Sequence, residues 1–143
     1  MLVKIKKLQE SAVIPSYSKI GDAGLDLTAT SYYSYNNGLF LEYGTGLAIE
    51  IPEGFGGFIF PRSSISNYNL TLCNSVGVVD SNFRGEIKLR FRTPYNNQRY
   101  REYNIGDRIG QLVILPVPKI EFELTEELKE TIRGSSGFGS SGV

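Results

Sequence analysis

Apolar and polar residues alternate with a period of two along much of this chain, the spacing of strands with one buried and one wet face. Val3 and Ile5 alternate with Lys4 and Lys6, and Leu47, Ile49 and Ile51 with Ala48 and Glu50. Ile87, Leu89 and Phe91 alternate with Glu86, Lys88, Arg90 and Arg92. Phe55 to Phe60 and Ile109 to Leu115 are more continuously apolar and read as strands buried on both faces. Gly, Pro and Asn punctuate the runs at short intervals. The pattern predicts an all-β architecture, a sandwich or jelly roll. Helix is scarce: Leu124, Leu128 and Ile132 form an i, i+4, i+8 stripe across Glu-rich sequence, and Ser63 to Tyr68 predicts a short helical turn after Pro61. Tyr95 to Tyr103, with paired Asn and several Arg, reads as an exposed hairpin loop. No internal repeat is evident.

The length, 143 residues, suits one domain with a core of its own. Lys+Arg and Asp+Glu both number 15, so the formal net charge is zero, which argues against a broad nucleic-acid surface. A local cluster of Arg could still bind a few phosphates. There is no histidine, which excludes Ser-His-Asp and Cys-His catalysis and any zinc site built on imidazole. The single Cys73 has no intramolecular disulfide partner and reads as a small core residue rather than a nucleophile. The N-terminal residues alternate apolar and basic side chains, unlike a targeting peptide, and no segment approaches the length of a membrane span. These features predict a soluble cytoplasmic protein.

Five segments carry residues that a strand protein does not need for folding. In AGLDLTA (23–29), Asp26 falls between two leucines expected to face the core, where a carboxylate either caps a turn or meets a cation or its bound water. PRSSIS (61–66) places an Arg and hydroxyls directly after an apolar strand, an ordinary loop or a set of donors for one phosphate. GVVDSNFRG (77–85) lies between two β runs and predicts a hairpin whose tip brings Asp80 and Phe83 together. GDRIGQLV (106–113) sets Gln111 at the entrance to an apolar strand. The fifth, RGSSGFGSSG (133–142), is a Gly/Ser tail with one Arg and one Phe. Its glycines permit close backbone approach, its hydroxyls donate, and a guanidinium and an aromatic ring suit phosphate and base. A floppy terminus has the same Gly and Ser.

Taken together and in this order, the five segments resemble the five motifs of the homotrimeric deoxyuridine triphosphatases (dUTPases), from about Ala23 to Gly142. The resemblance implies a distorted β jelly roll over residues 1–132, and a flexible C-terminal arm, 133–143, that closes over the active site. It also implies a homotrimer with shared active sites, and hydrolysis of dUTP to dUMP and pyrophosphate. That reaction limits uracil incorporation into DNA and supplies dUMP for dTMP synthesis.

By the same resemblance Asp80 is the general base for the water that attacks the α-phosphorus, a role open to a carboxylate in a chain without histidine. Asp26 holds Mg²⁺ through coordinated water, an ion that dehydrates reluctantly. Arg62, Ser63 and Ser64 contact the phosphates, with Gln111 from a neighbouring subunit. Asn74, with backbone groups around Val78 and Val79, reads the uracil edge, and Gly77 and Lys88 also bind substrate. Phe83 packs beneath the deoxyribose and leaves no room for a 2′-OH. Arg133, Phe138, Gly139, Ser140 and Ser141 close over base and γ-phosphate. The partners implied are dUTP and further copies of the chain, with no membrane and no direct nucleic-acid contact. Three positions depart from the commoner pattern: Phe83 for a usual Tyr, and Ser64 and Ser136 where Gly is frequent. The rival readings are a dCTP deaminase, which needs a catalytic Glu and different wording around 77–85, and a non-catalytic jelly-roll binding module.

Overall fold

Ten strands run through residues 1–94 and 98–135, the part of the chain described by this computed structural model. They are β1 (Lys4–Lys7), β2 (Leu25–Thr28), β3 (Ser31–Tyr35), β4 (Phe40–Gly44), β5 (Leu47–Glu50), β6 (Phe55–Phe60), β7 (Thr71–Leu72), β8 (Gly77–Val79), β9 (Lys88–Arg92) and β10 (Arg108–Pro116). The helical turn expected after Pro61 is a 3-10 turn, Ser63–Asn67. Two four-stranded antiparallel sheets face each other, one ordered β2-β10-β6-β8 and the other β3-β4-β9-β7, with β1 and β5 paired alongside. The architecture is an all-β jelly roll.

The core between the sheets is filled by the inward half of each alternating run. Leu27, Leu41, Leu47, Phe91 and Ile109 are fully buried, and Ile87, Leu89 and Leu112 nearly so. Burial of such side chains contributes about 1.5–3 kcal/mol apiece, which is why the period of two settles the facing of each strand. Tyr43, also buried, accepts a hydrogen bond on Oη from the Tyr103 backbone N–H at 3.1 Å. Tyr103 stacks on Tyr68 with ring centroids 4.0 Å apart. This pins the chain before β10 against the segment after the 3-10 turn.

Several sequence expectations are corrected. The stripe Leu124, Leu128, Ile132 forms no helix, and all three are exposed. An apolar stripe gains nothing from helix formation unless something covers it. The segment 77–92 is not a paired hairpin: β8 pairs with β6, while β9 pairs with β4 and β7, so residues 80–87 cross from one sheet to the other. β6 and β10 are buried on one face only, with Phe58, Phe60 and Val113 half-buried and Leu115 exposed. Tyr103 lies in the core rather than in an exposed loop, and Tyr95 lies outside the described residues. Cys73 is exposed rather than in the core, and partial desolvation by its neighbours pushes the thiol pKa up, away from nucleophile chemistry.

Candidate active site

Where the two sheets part, between β8 and β9, a cleft of 220 Å³ is lined by Asn74, Gly77, Val78, Val79, Asp80, Phe83 and Lys88 together with Ile59, Glu86 and Ile87. A second cleft of 300 Å³ shares the wall formed by Ile59, Asn74, Gly77 and Lys88 and extends toward Cys73, Glu42 and Arg90. The crossing segment thus brings Asp80 and Phe83 into one cleft, although not by the hairpin expected. A tight turn holds them: the Phe83 N–H donates to the Asp80 carbonyl at 3.1 Å. Arg84 Nη1 donates to the carbonyls of Ser81 (2.7 Å) and Phe83 (2.8 Å). Gly85 lets the Phe83 ring lie across the turn, since a Cβ there would come within 2.6 Å of Phe83 Cζ. Lys88 lines the cleft with its ammonium paired to Glu42 at 3.3 Å and Glu86 at 3.7 Å. The Glu42 bond raises the Lys88 pKa.

The second group of candidate residues sits on the outer face of the β2-β10-β6-β8 sheet. Asp26 on β2 is opposite Gln111 on β10, which is opposite Phe60 on β6. Arg62, two residues beyond β6, turns back over this row and donates Nε to Asp26 Oδ1 at 2.9 Å. Gln111 Nε2 donates to the Pro61 carbonyl at 3.3 Å. Ser63 and Ser64 begin the 3-10 turn just beyond. Two residues that the sequence reading missed complete the cluster: Arg108 Nη1 and the Ser18 hydroxyl both donate to Asp26 Oδ2, each at 3.0 Å. The signal for Arg108 was present in GDRIGQ, but it stands three positions from Gln111, and a regular strand would put them on opposite faces.

Asp80 lies at the other end of this sheet. Gly57 is opposite Val79, so four residues of β6 separate the Asp80 level from Phe60, roughly 13 Å at strand rise. Within one chain the cleft with Asp80 and the cluster with Asp26 are therefore two separate groups. Arg133 is exposed at the end of the described chain, and Ser136, Phe138, Gly139, Ser140 and Ser141 lie outside the described residues.

As for metal ligands, the described residues contain no group of three His, Cys, Asp or Glu side chains. Asp26 is the one carboxylate in the cluster among the described residues, and three of its roughly four acceptor positions are filled. That leaves room for one water, which suits an ion whose inner ligands come mainly from a bound polyphosphate.

The sequence model of the dUTPase family matches residues 10–142. The deoxyuridine 5′-triphosphate nucleotidohydrolase of Desulfitobacterium hafniense (strain DSM 10664 / DCB-2) is 45% identical over 136 residues, 91% of this chain and 87% of the relative. The chain belongs to the dUTPase family. The nucleotidohydrolase of the same description from Crocosphaera subtropica is 38% identical over 144 residues, covering 100% of both chains. Among solved structures, the Staphylococcus bacteriophage 80alpha dUTPase with dUpNHpp superposes with a TM-score of 0.82 at 26% identity, covering 99% of each chain. The chain is a dUTP nucleotidohydrolase, and no helix among its described residues is long and apolar enough to cross a membrane.

Proposed function

We propose that the enzyme hydrolyses dUTP to dUMP and pyrophosphate at sites completed between copies of the chain, with Asp80 as general base. The reading rests on one observation: Asn74, Gly77, Val78, Val79, Asp80, Phe83 and Lys88, separated in sequence, line a single cleft. The base docks between the Asn74 side chain and the β8 backbone, where donors and acceptors matched to uracil leave groups unpaired against cytosine. Phe83 underlies the sugar and excludes a 2′-OH by shape. The Asp80 carboxylate, exposed at the mouth, takes the proton from the attacking water, a role that requires hydrogen-bond reach of that water.

The phosphates meet Arg62, Ser63, Ser64 and Gln111, with Asp26 holding Mg²⁺ through water. Bound to the triphosphate, Mg²⁺ neutralises charge that builds on the phosphate oxygens. The separation of this set from the Asp80 cleft supports a second copy supplying it. So does the outer sheet face between the two groups: Val78, Phe58 and Val113 form one cross-strand apolar row, with Val78 67% exposed. Such a face suits burial between subunits of a homotrimer. Residues 133–143 form an arm that closes over the nucleotide, Arg133, Gly139, Ser140 and Ser141 on phosphate and Phe138 on uracil, excluding bulk water until pyrophosphate leaves. The dUpNHpp on the phage relative, a deoxyuridine nucleotide, agrees with this substrate class.

The test is Asp80→Asn, with pyrophosphate release assayed against dUTP, dTTP, dCTP and UTP, with and without Mg²⁺. The expected result is loss of turnover with dUpNHpp binding retained; near wild-type hydrolysis by this variant would sink the mechanism. Light scattering tests the trimer.

A further inference from the structure

β10 carries an irregularity where it meets β2. Arg108 is opposite Thr28 but Gly110 is opposite Leu27, so β10 spends one extra residue, Ile109, on a β-bulge. Ile109 turns fully into the core, and the bulge resets the alternation. Arg108 and Gln111, an odd number of residues apart, therefore share the outer face with Asp26. There the Arg108 guanidinium donates to Asp26 Oδ2 at 3.0 Å and to Ser18 Oγ at 3.2 Å, while Ser18 donates to the same Asp26 oxygen. Asp26 is thereby fixed, and its other oxygen takes Arg62 by Nε alone. Among the described residues, the Nη pair of Arg62 is left for a ligand.

Stability does not account for this arrangement. The Arg108 side chain is 50% exposed, and ion pairs so open to water contribute little to folding. One carboxylate between two guanidiniums leaves the cluster with an excess positive charge, which suits a polyphosphate.

We propose that Arg108, assisted by Ser18, is a positioning residue for substrate: it anchors Asp26 so that Asp26 aims the Arg62 fork at a phosphate. The inference rests on the assignment of Arg62 to the phosphates. It assigns Arg108 no direct contact with the nucleotide.

Steady-state kinetics on Arg108→Ala, Arg108→Lys, Arg62→Ala and the double variant Arg62→Ala/Arg108→Ala test it. Arg108→Ala should raise KM for dUTP about tenfold, the effect of losing one charged hydrogen bond's worth of orientation, with kcat within about twofold. Arg108→Lys, which restores a cationic donor without the fork, should fall between Ala and wild type. The thermal midpoint should stay within about 3 °C for either variant. In the Arg62→Ala background, removal of Arg108 should add less than about twofold, because the group it orients is gone. An unchanged KM in Arg108→Ala beside a raised KM in Arg62→Ala overturns this inference alone. A full further tenfold rise in the double variant overturns it in favour of direct phosphate contact. If Arg62→Ala leaves KM unchanged, the phosphate assignment falls and the inference falls with it.

Discussion

Gly110→Ala joins fold and site in one substitution. A Cβ at this position would stand 2.5 Å from Leu89 Cδ2 and 3.1 Å from the Phe60 carbonyl oxygen. Leu89 is 2% exposed, so its methyl cannot swing into solvent, and the Phe60 carbonyl belongs to the β6 backbone beside β10. Relief needs a shift of β10 outward or a strained Leu89 rotamer, an overpacking cost of about 1–3 kcal/mol. In a chain of this length that lowers the thermal midpoint by roughly 3–9 °C. Urea unfolding at a fixed protein concentration is the cleaner assay, because in the proposed trimer apparent stability would depend on concentration. The same shift moves Arg108 and Gln111, which flank the glycine, so KM for dUTP should rise as well. Leu89→Val removes both Cδ atoms, and in that background the cost of Gly110→Ala should fall by more than half. An unchanged urea midpoint and KM in Gly110→Ala, or a cost undiminished by Leu89→Val, would refute the bulge geometry as the reason for glycine here.

Tyr103 Oη is buried with no hydrogen-bond partner among the described residues, so Tyr103→Phe should stabilise by about 1 kcal/mol in urea unfolding. Burial pushes the Tyr103 pKa up to about 12 and raises that of Tyr43 further still. Both phenols stay neutral in the fold while the unfolded chain ionises from pH 10, so their stability is whole below pH 10 and lost as pH rises through about 12. Tyr103→Phe should flatten that alkaline decline, as followed by circular dichroism. Phe83→Ala should narrow the preference for dUTP over UTP with little change in unfolding midpoint, read from kcat/KM on the two nucleotides. Truncation after Ile132 should leave the fold intact but raise KM for dUTP by about 5- to 150-fold, the equivalent of losing one base-stacking contact.

What could be read ahead from the chain divides along the range of the forces involved. Strands were legible where burial acts on every second residue, as in Leu47 to Ile51 and Ile87 to Phe91, because the side-chain alternation is itself the local structure. The partner of a strand is a non-local matter. Two β runs around Asp80 to Gly85 look like a hairpin, yet β8 is drawn to β6 and β9 to β4, and nothing within the intervening residues 80–87 encodes that choice. The stripe at Leu124, Leu128 and Ile132 failed for a related reason. Its spacing permits a helix, but helices of this length draw most of their stability from what covers the apolar face, and no cover is provided among the described residues.

The site shows the same division. Asp80, Phe83 and Asn74 could be gathered from motif order, and the cleft does gather them. Arg108 could not, because face assignment by alternation fails at a bulge, and a bulge is set by what a strand must pass. β10 passes Leu89 on one side and the β6 backbone on another at Gly110, where only a missing Cβ allows the approach. The glycine in GDRIGQ was therefore the sequence signal that two polar residues three apart share a face. On this view the polar cluster around Asp26 and the apolar closure beneath it are one arrangement: loss of the bulge would turn Ile109 out of the core and Arg108 away from Asp26 together. A substitution here that spared packing but abolished the pairing of Arg108 with Asp26, or the reverse, would separate the two and contradict that coupling.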